Sequence, residues 1–253
     1  MAIPKQLEKE FQRTILMYNS YLKWITFCFL NTSRDSKFKD NHIFSVISQD
    51  YIETLTSTPI LIEEGILRPT IRESRFVLEM SIKMAFIQQK LYNADIEEKI
   101  KRYEKILNSP SISIMKQVNL HMLTENLHDN FYEECGKLYG FSSNFVHLTS
   151  LQIEDRINIL SDGFWLGQET EIMLKELNNY LERIYAVSIV FIMHSVPTYV
   201  TGDWIVENDG NSIDWYYLRS KYIAEIDSFF DYKHERQDKL DLIKNRRLSL
   251  IEY

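Results

Sequence analysis

The segment Y-G-F-S-S-N-F-V-H places three chemically versatile side chains at intervals of four residues. They are Tyr139, Ser143 and His147. Because helical residues four apart point in nearly the same direction, the spacing predicts one polar stripe, with Asn144 beside His147. Imidazole exchanges protons near neutral pH, so this stripe could carry acid–base catalysis. The alternative is a helix seam in which Tyr and His are half-buried and hydrogen-bonded.

Small residues accompany the stripe. Gly140 and Ser142 would let another helix or a ligand approach closely. A serine and a histidine on one helix do not identify a hydrolase, and no G-x-S-x-G elbow is present in the sequence.

A second polar set lies earlier in the chain. Arg72, Arg75 and Glu79 follow helical spacing, and Lys83 lies one turn further on. Because an unpaired carboxylate is costly among apolar residues, we expect Arg75 or a group on a facing helix to pair with Glu79. An intrahelical salt bridge on a half-exposed face is the alternative interpretation.

These two sets together resemble a known class of protein. An R-x-x-x-E motif begins at Arg75, and a Y-x-x-x-S-x-x-V-H motif begins at Tyr139. The combination resembles an uncharacterised bacterial all-helical family that is distantly similar to the HEPN superfamily of toxins, abortive-infection proteins and other phage-defence factors. The resemblance covers roughly residues 61–151.

The resemblance implies a metal-independent endoribonuclease. In HEPN ribonucleases a histidine acts in acid–base chemistry on the RNA 2′-hydroxyl, and His147 holds that position here. The arginine of their Arg-x4-6-His motif should fall near residues 140–142, which are Gly, Phe and Ser. Arg72 or Arg75 would have to replace it from the neighbouring helix. The remaining candidate site residues are Glu79, Tyr139, Ser143 and Asn144.

The resemblance also implies partners. HEPN-like domains often pair as homodimers with the site across the interface, so RNA, a second copy and a partner protein or antitoxin are expected. The alternative function is non-catalytic: a helical sensor or scaffold in which the same polar residues hold helices together or bind a protein partner.

Two further patterns have residue types that are found in metal or phosphate sites. His121, Glu125 and His128 contain an E-x-x-H sequence like those of di-iron bundles, but the surrounding Asn and Asp residues favour a solvated helix end. We therefore expect no metal and no cofactor. The basic run K-N-R-R at residues 244–247 is offset by nearby Asp238 and Asp241, which favours a solvated face.

The composition and a few local segments argue against three further classes of protein: those that coat nucleic acid, secreted proteins and membrane proteins. The net charge of −7 argues against broad coating of nucleic acid. Cys28 and Cys135 form no C-x-x-C pair, and the charged N-terminal segment does not fit a signal peptide, so a reducing cytoplasm is expected. The apolar run 184–193 is shorter than the roughly 20 residues of a spanning helix, which favours a buried helix and no membrane association.

The scarcity of Gly (7) and Pro (5) predicts an all-α fold, a multi-helix bundle of one domain over residues 1–253. An HEPN-like core is expected over 61–195 and a helical extension over 213–253. A small hairpin or ordered loop is expected near 198–212. The predicted helices cover 6–30, 43–56, 69–92, 96–107, 114–127, 131–147, 169–195, 213–230 and 235–250, with a further helix start at Thr58-Pro59 and no assignment for 151–160.

Overall fold

The computed structural model describes residues 3–106, 111–147, 149–161, 163 and 170–253. In these ranges the chain forms α-helices, short 3-10 turns and no strand, which confirms the predicted all-α bundle. The α-helices are α1 (Glu8–Thr32), α2 (Ile43–Glu63), α3 (Leu67–Lys90), α4 (Ile96–Ile106), α5 (Ser111–Ile114), α6 (Glu125–Val146), α7 (Ser150–Ser161), α8 (Glu171–Met193), α9 (Thr198–Ile205), α10 (Lys221–Phe229) and α11 (Leu240–Leu250).

Helices α3 and α8 form the centre of the bundle. They pack extensively on one another, α1 and α2 cover one side, and α6 packs against α3 and α8. The run 184–193 of α8 is buried throughout, as its continuous apolar sequence predicts for a central helix. None of the helices in the described ranges has both the length and the apolarity needed to cross a bilayer.

Helix α2 corrects the predicted break at Thr58-Pro59. The helix runs through Pro59, although proline supplies no N–H for the bond to Leu55. The face that carries Leu55, Thr58 and Ile62 is buried. Burial of this continuous face offsets the loss of one backbone hydrogen bond.

A helix was predicted over 114–127, and this is wrong for residues 118–124, which lie in no helix. After a 3-10 turn (Met115–Gln117) the backbone leaves the helix until α6 begins. Leu120, Met122 and Leu123 are all buried, and three residues so close in sequence do not share one helix face. The side chain of Gln89 satisfies both backbone groups of Asn119, with bonds of 2.7 and 3.0 Å, so these groups need no helix.

The predicted hairpin or loop near 198–212 is also corrected in part. Its first half is helix α9, and only a single antiparallel bridge between Val206 and Ser212 follows. Gly210 closes the turn with a φ of +85°, a conformation that glycine adopts readily.

The C-terminal helices are attached to the N-terminal helix by buried aromatic residues. The indole of Trp215 donates to the carbonyl of Ser20 over 3.0 Å, and the hydroxyl of Tyr217 donates to the carbonyl of Met17 over 3.2 Å. The predicted helix over 213–230 begins instead as an extended segment and a 3-10 turn (Tyr216–Arg219) before α10. A second 3-10 turn (His234–Lys239) precedes α11.

The basic run 244–247 is not simply a solvated face. Arg247 donates to Asp227 over 2.5 Å and to Asp231 over 2.6 Å, and its side chain is 9% exposed. Arg236, which is fully buried, bonds the same two carboxylates. The prediction of a solvated face is wrong for Arg247. Its partners lie in α10 and in the turn after it, and the charges close to Arg247 in the sequence do not reveal them. Arg246 agrees better with a solvated face, since its side chain is 46% exposed.

Candidate functional site

Helices α3 and α6 bring the two polar sets of the sequence together around one guanidinium. Arg75 donates from Nε to Oε1 of Glu79 over 2.8 Å. Its Nη1 donates to the Ser143 hydroxyl over 2.9 Å, and its Nη2 donates to the Tyr139 hydroxyl over 2.8 Å. We call Arg75, Glu79, Tyr139 and Ser143 the arginine cluster.

The local sequences explain why these side chains meet. On α6, Phe131, Cys135, Leu138 and Ser142 are buried. Tyr139 and Ser143 each follow a buried residue by one position, so they lie at the edge of the buried face and reach the adjacent α3. Packing of α6 on α3 removes these polar groups partly from water, and the charge-assisted hydrogen bonds with Arg75 compensate for that loss.

The cluster is half-buried. The side chain of Arg75 is 12% exposed and that of Glu79 is 28% exposed. The guanidinium carbon also lies 4.3 Å from the centroid of the Tyr139 ring, a cation–π distance. Burial raises the pKa of Tyr139, the Glu79 carboxylate raises it further, and Arg75 opposes both effects. The phenol therefore remains a neutral donor and acceptor at physiological pH.

His147 lies just beyond the end of α6. Its backbone is extended, with φ −105° and ψ 114°, and its N–H still donates to the Ser143 carbonyl over 3.2 Å. Its side chain is exposed and makes no hydrogen bond within the described residues. The regular i+4 stripe predicted from the sequence thus ends at Ser143. That backbone bond keeps His147 next to the last turn of α6, four residues after the serine that contacts Arg75.

The other predicted site residues lie nearby without joining the cluster. Arg72 is exposed on α3, one turn before Arg75. Asn144 is half-buried and makes no side-chain hydrogen bond within the described residues. Gly140 is exposed, and a Cβ added there would meet no atom within 4 Å. The close helix approach considered for Gly140 is therefore not observed, and the space above it is open.

His121 and His128, the histidines of the E-x-x-H pattern, contact protein groups. The Nε2 of His128 lies 3.2 and 3.3 Å from two backbone carbonyls, and the ring of His121 lies edge-on to His194. In the part of the chain that the structure describes, no group of three or more His, Cys, Asp or Glu side chains is arranged to hold a metal ion.

A second polar cluster was missed in the sequence. Arg13 of α1 donates to Asn179 over 2.8 Å and bonds the carboxylate of Glu182 on α8. It also donates to the Tyr216 hydroxyl over 3.3 Å. The one local signal in the sequence is the acidic Glu182 just before the apolar run 184–193, since a carboxylate beside a buried run requires a partner. In the structure its exposure is 3%. Its partner lies 169 residues away in the sequence.

Comparisons of the chain with protein-family models, with curated proteins and with solved structures gave no match.

Proposed function

We propose that the protein is a HEPN-like effector of bacterial antiviral defence or of a toxin system, and that it cleaves RNA without a metal ion. The proposal places it in the cytoplasm as a homodimer, with RNA as substrate and a partner protein or antitoxin as regulator. The observation that carries it is the exposed imidazole of His147, one turn after the serine that contacts Arg75.

The chemistry requires a base, an acid and a cation. His147 accepts the proton of the RNA 2′-hydroxyl while the 2′-oxygen attacks the adjacent phosphorus. The bond from phosphorus to the 5′-oxygen breaks, and that oxygen takes up a proton from solvent water, which acts as the acid. His147 then releases the proton that it accepted to the solvent. The products are a 2′,3′-cyclic phosphate and a 5′-hydroxyl. An adjacent guanidinium stabilises the charge that develops on the phosphate oxygens.

The hydrogen bonds of Arg75 and the exposure of Arg72 indicate different roles for these two arginines. Arg75 uses three of its five N–H donors on Glu79, Tyr139 and Ser143, which suits a residue that positions the end of α6. Arg72 is exposed on the same helix and is the better candidate for contact with phosphate. This assignment replaces the missing arginine of the HEPN motif with one from α3.

A non-catalytic sensor or scaffold that binds a protein partner is the second candidate. The observation that favours it is that Arg75 uses three of its five N–H donors on bonds within the fold and that its side chain is only 12% exposed. In that case the arginine cluster only joins α3 to α6, and His147 is a surface residue.

Incubation of the purified protein with total RNA in EDTA separates the two candidates. The first predicts cleavage that His147→Ala abolishes while the variant stays folded. His234→Ala is the matched control, because His234 is also exposed but lies beside α11. Absence of cleavage by the unaltered protein across varied RNA substrates would favour the sensor.

A further inference from the structure

The segment 118–124 joins the 3-10 turn Met115–Gln117 to α6 and lies beside the C-terminal end of α8. Its apolar side chains Leu120, Met122 and Leu123 are buried, so packing contributes to holding it on the bundle. The segment leads directly into α6, which carries the arginine cluster. Any change in its attachment therefore affects the start of that helix.

A neutral amide forms the first polar contact with the backbone of this segment. The side chain of Gln89 accepts from the Asn119 N–H over 2.7 Å and donates to the Asn119 carbonyl over 3.0 Å. The same amide donates to the backbone carbonyl of His194 over 2.8 Å. Because an amide side chain does not titrate, this contact does not depend on pH.

The imidazole of His194 forms the second polar contact, and its partners define its protonation state. The Val190 carbonyl can only accept, so Nδ1 of His194, which lies 2.7 Å from it, carries a hydrogen. Nε2 accepts from the Met122 N–H over 3.1 Å and therefore carries none. A proton added at Nε2 would point at the Met122 N–H. The bond to Met122 thus exists only while the ring is neutral.

His128 of α6 contacts the same segment in the opposite sense. Its Nε2 lies 3.3 Å from the Leu120 carbonyl and 3.2 Å from the Leu123 carbonyl, so it donates to them. Protonation of His128 adds a hydrogen at Nδ1 and leaves these bonds in place. Of these two histidines, only His194 loses a contact with the segment when it is protonated.

The titratable groups that act most strongly on His194 oppose its protonation. The ring of His121 lies edge-on to it, with 5.2 Å between centroids, and His128 acts on it from α6. Burial and these two histidines lower the pKa of His194 to about 3, although its bond to the Val190 carbonyl opposes them. The other polar groups around this site are the neutral Gln89 and Thr198, the exposed Lys90, Tyr92, Glu125 and Asp129, and His42, which donates to the Ser195 carbonyl.

We propose that the bond between His194 and Met122 is a pH-sensitive switch. Protonation of the ring releases the segment 118–124 from the end of α8, while the centre of the bundle stays folded. Asn119 remains bonded to Gln89, so the segment moves about that point. A cavity of about 390 Å³, which His121 and His194 help to line, lets water reach the imidazole pair. The proposal rests on the hydrogen bonds of His194 and does not depend on the proposed function.

Proton linkage gives the direction and the size of the effect. The pKa of His194 is about 3 while the segment is attached and returns to about 6.5 when it is released. The released form therefore binds more protons below pH 6.5. The stability that His194 gives to the attached form is fully present above pH 6.5 and is lost as the pH falls. The population of the released form should rise about 25-fold between pH 7 and pH 5.

Hydrogen–deuterium exchange of the full chain at pH 7 and pH 5, read by mass spectrometry and corrected for intrinsic exchange rates, tests the proposal. We expect the protection factor of the segment 118–124 to fall about 25-fold between the two pH values. At pH 5 it should lie at least about tenfold below that of the run 184–193, because the segment opens without the rest of the bundle.

Two variants assign the pH dependence to the proposed bond. His194→Gln offers an acceptor for the Met122 N–H and a donor for the Val190 carbonyl but does not titrate, so the 25-fold change should fall below about fivefold. His128→Gln is the matched control, because it removes a histidine that contacts the same segment only as a donor. It should retain a change of at least about tenfold.

Exchange of the segment no faster than that of the run 184–193 at pH 5 overturns the proposal, because the segment then opens only with the whole bundle. So does an undiminished pH dependence in folded His194→Gln, or loss of the dependence in His128→Gln. If His194→Gln fails to fold, the comparison within the unaltered protein and the His128→Gln variant still decide the outcome.

Discussion

Arg75 and Tyr139 contact one another in two ways. Nη2 of the arginine donates to the tyrosine hydroxyl over 2.8 Å, and the guanidinium carbon lies 4.3 Å from the ring centroid. This double contact joins α3 to α6 at the point where both carry their predicted site residues. It also fixes the part of α6 that leads to His147.

Arg75→Met should lower the free energy of unfolding by about 2–3 kcal/mol, because Glu79, Tyr139 and Ser143 each lose a charge-assisted hydrogen bond. Arg72→Met is the matched control on the same helix and should change it by less than about 0.5 kcal/mol, since Arg72 is exposed. Urea unfolding of the two variants measures the difference. Equal values would show that the arginine cluster contributes nothing to joining the helices.

The buried ion cluster gives a second matched pair. Arg247→Met removes one of the two cations that bond Asp227, which is fully buried, and Asp231, while Arg236 remains, so we expect a loss of about 2–3 kcal/mol. Arg246→Met removes a neighbouring charge whose side chain is 46% exposed and should cost less than about 0.5 kcal/mol. Chemical denaturation of both variants tests this. A small effect of Arg247→Met would contradict the described geometry.

Acid should destabilise the protein through two buried histidines. Burial lowers the pKa of His42 to about 4 and that of His194 to about 3. Unfolding exposes both to water, where their pKa returns to about 6.5, so below that pH the unfolded chain binds more protons. Each histidine should therefore reduce the free energy of unfolding by up to about 1.4 kcal/mol per pH unit between pH 6 and pH 4.

Thermal unfolding from pH 7 to pH 4 measures this dependence. The side chain of His194 accepts a bond from the Met122 N–H over 3.1 Å, and its Nδ1 lies 2.7 Å from the Val190 carbonyl. His194→Gln should reduce the slope, whereas His234→Gln, at an exposed position, should leave it unchanged. A slope that His194→Gln does not alter would assign the acid sensitivity to other groups.

Substitution by alanine should change the stability of the protein in opposite directions at two glycines. Gly140→Ala lies within a helix with open space around the new Cβ, so it should stabilise the protein by about 0.5–1 kcal/mol. Gly210→Ala should be strongly destabilising, because φ is +85° and the new Cβ would lie 2.0 Å from the carbonyl oxygen of Glu235. Melting temperatures of the two variants test the contrast. Destabilisation by Gly140→Ala would reveal a neighbour in the space that the structure leaves open.

The all-α class was predictable because it depends on local signals. Few glycines and prolines, and an apolar run such as 184–193, favour long helices whatever the tertiary arrangement. The pairing of Arg75 with Glu79 was likewise predictable, since it needs only a spacing of four residues within one helix.

The errors arise where tertiary contacts override local signals. Pro59 did not break α2, because burial of its face outweighed the missing hydrogen bond. Met122 does not lie in the predicted helix, because its N–H donates to the side chain of His194, which lies 72 residues further along the chain. The pairing of Arg13 with Glu182 was not predictable either, since it depends on α1 and α8 meeting in space.

Cleavage of total RNA in EDTA by the protein and by His147→Ala tests the proposed activity most directly. The proposed function predicts fragments ending in a 2′,3′-cyclic phosphate with the unaltered protein and with His234→Ala, and none with folded His147→Ala. Undiminished cleavage by folded His147→Ala would contradict it.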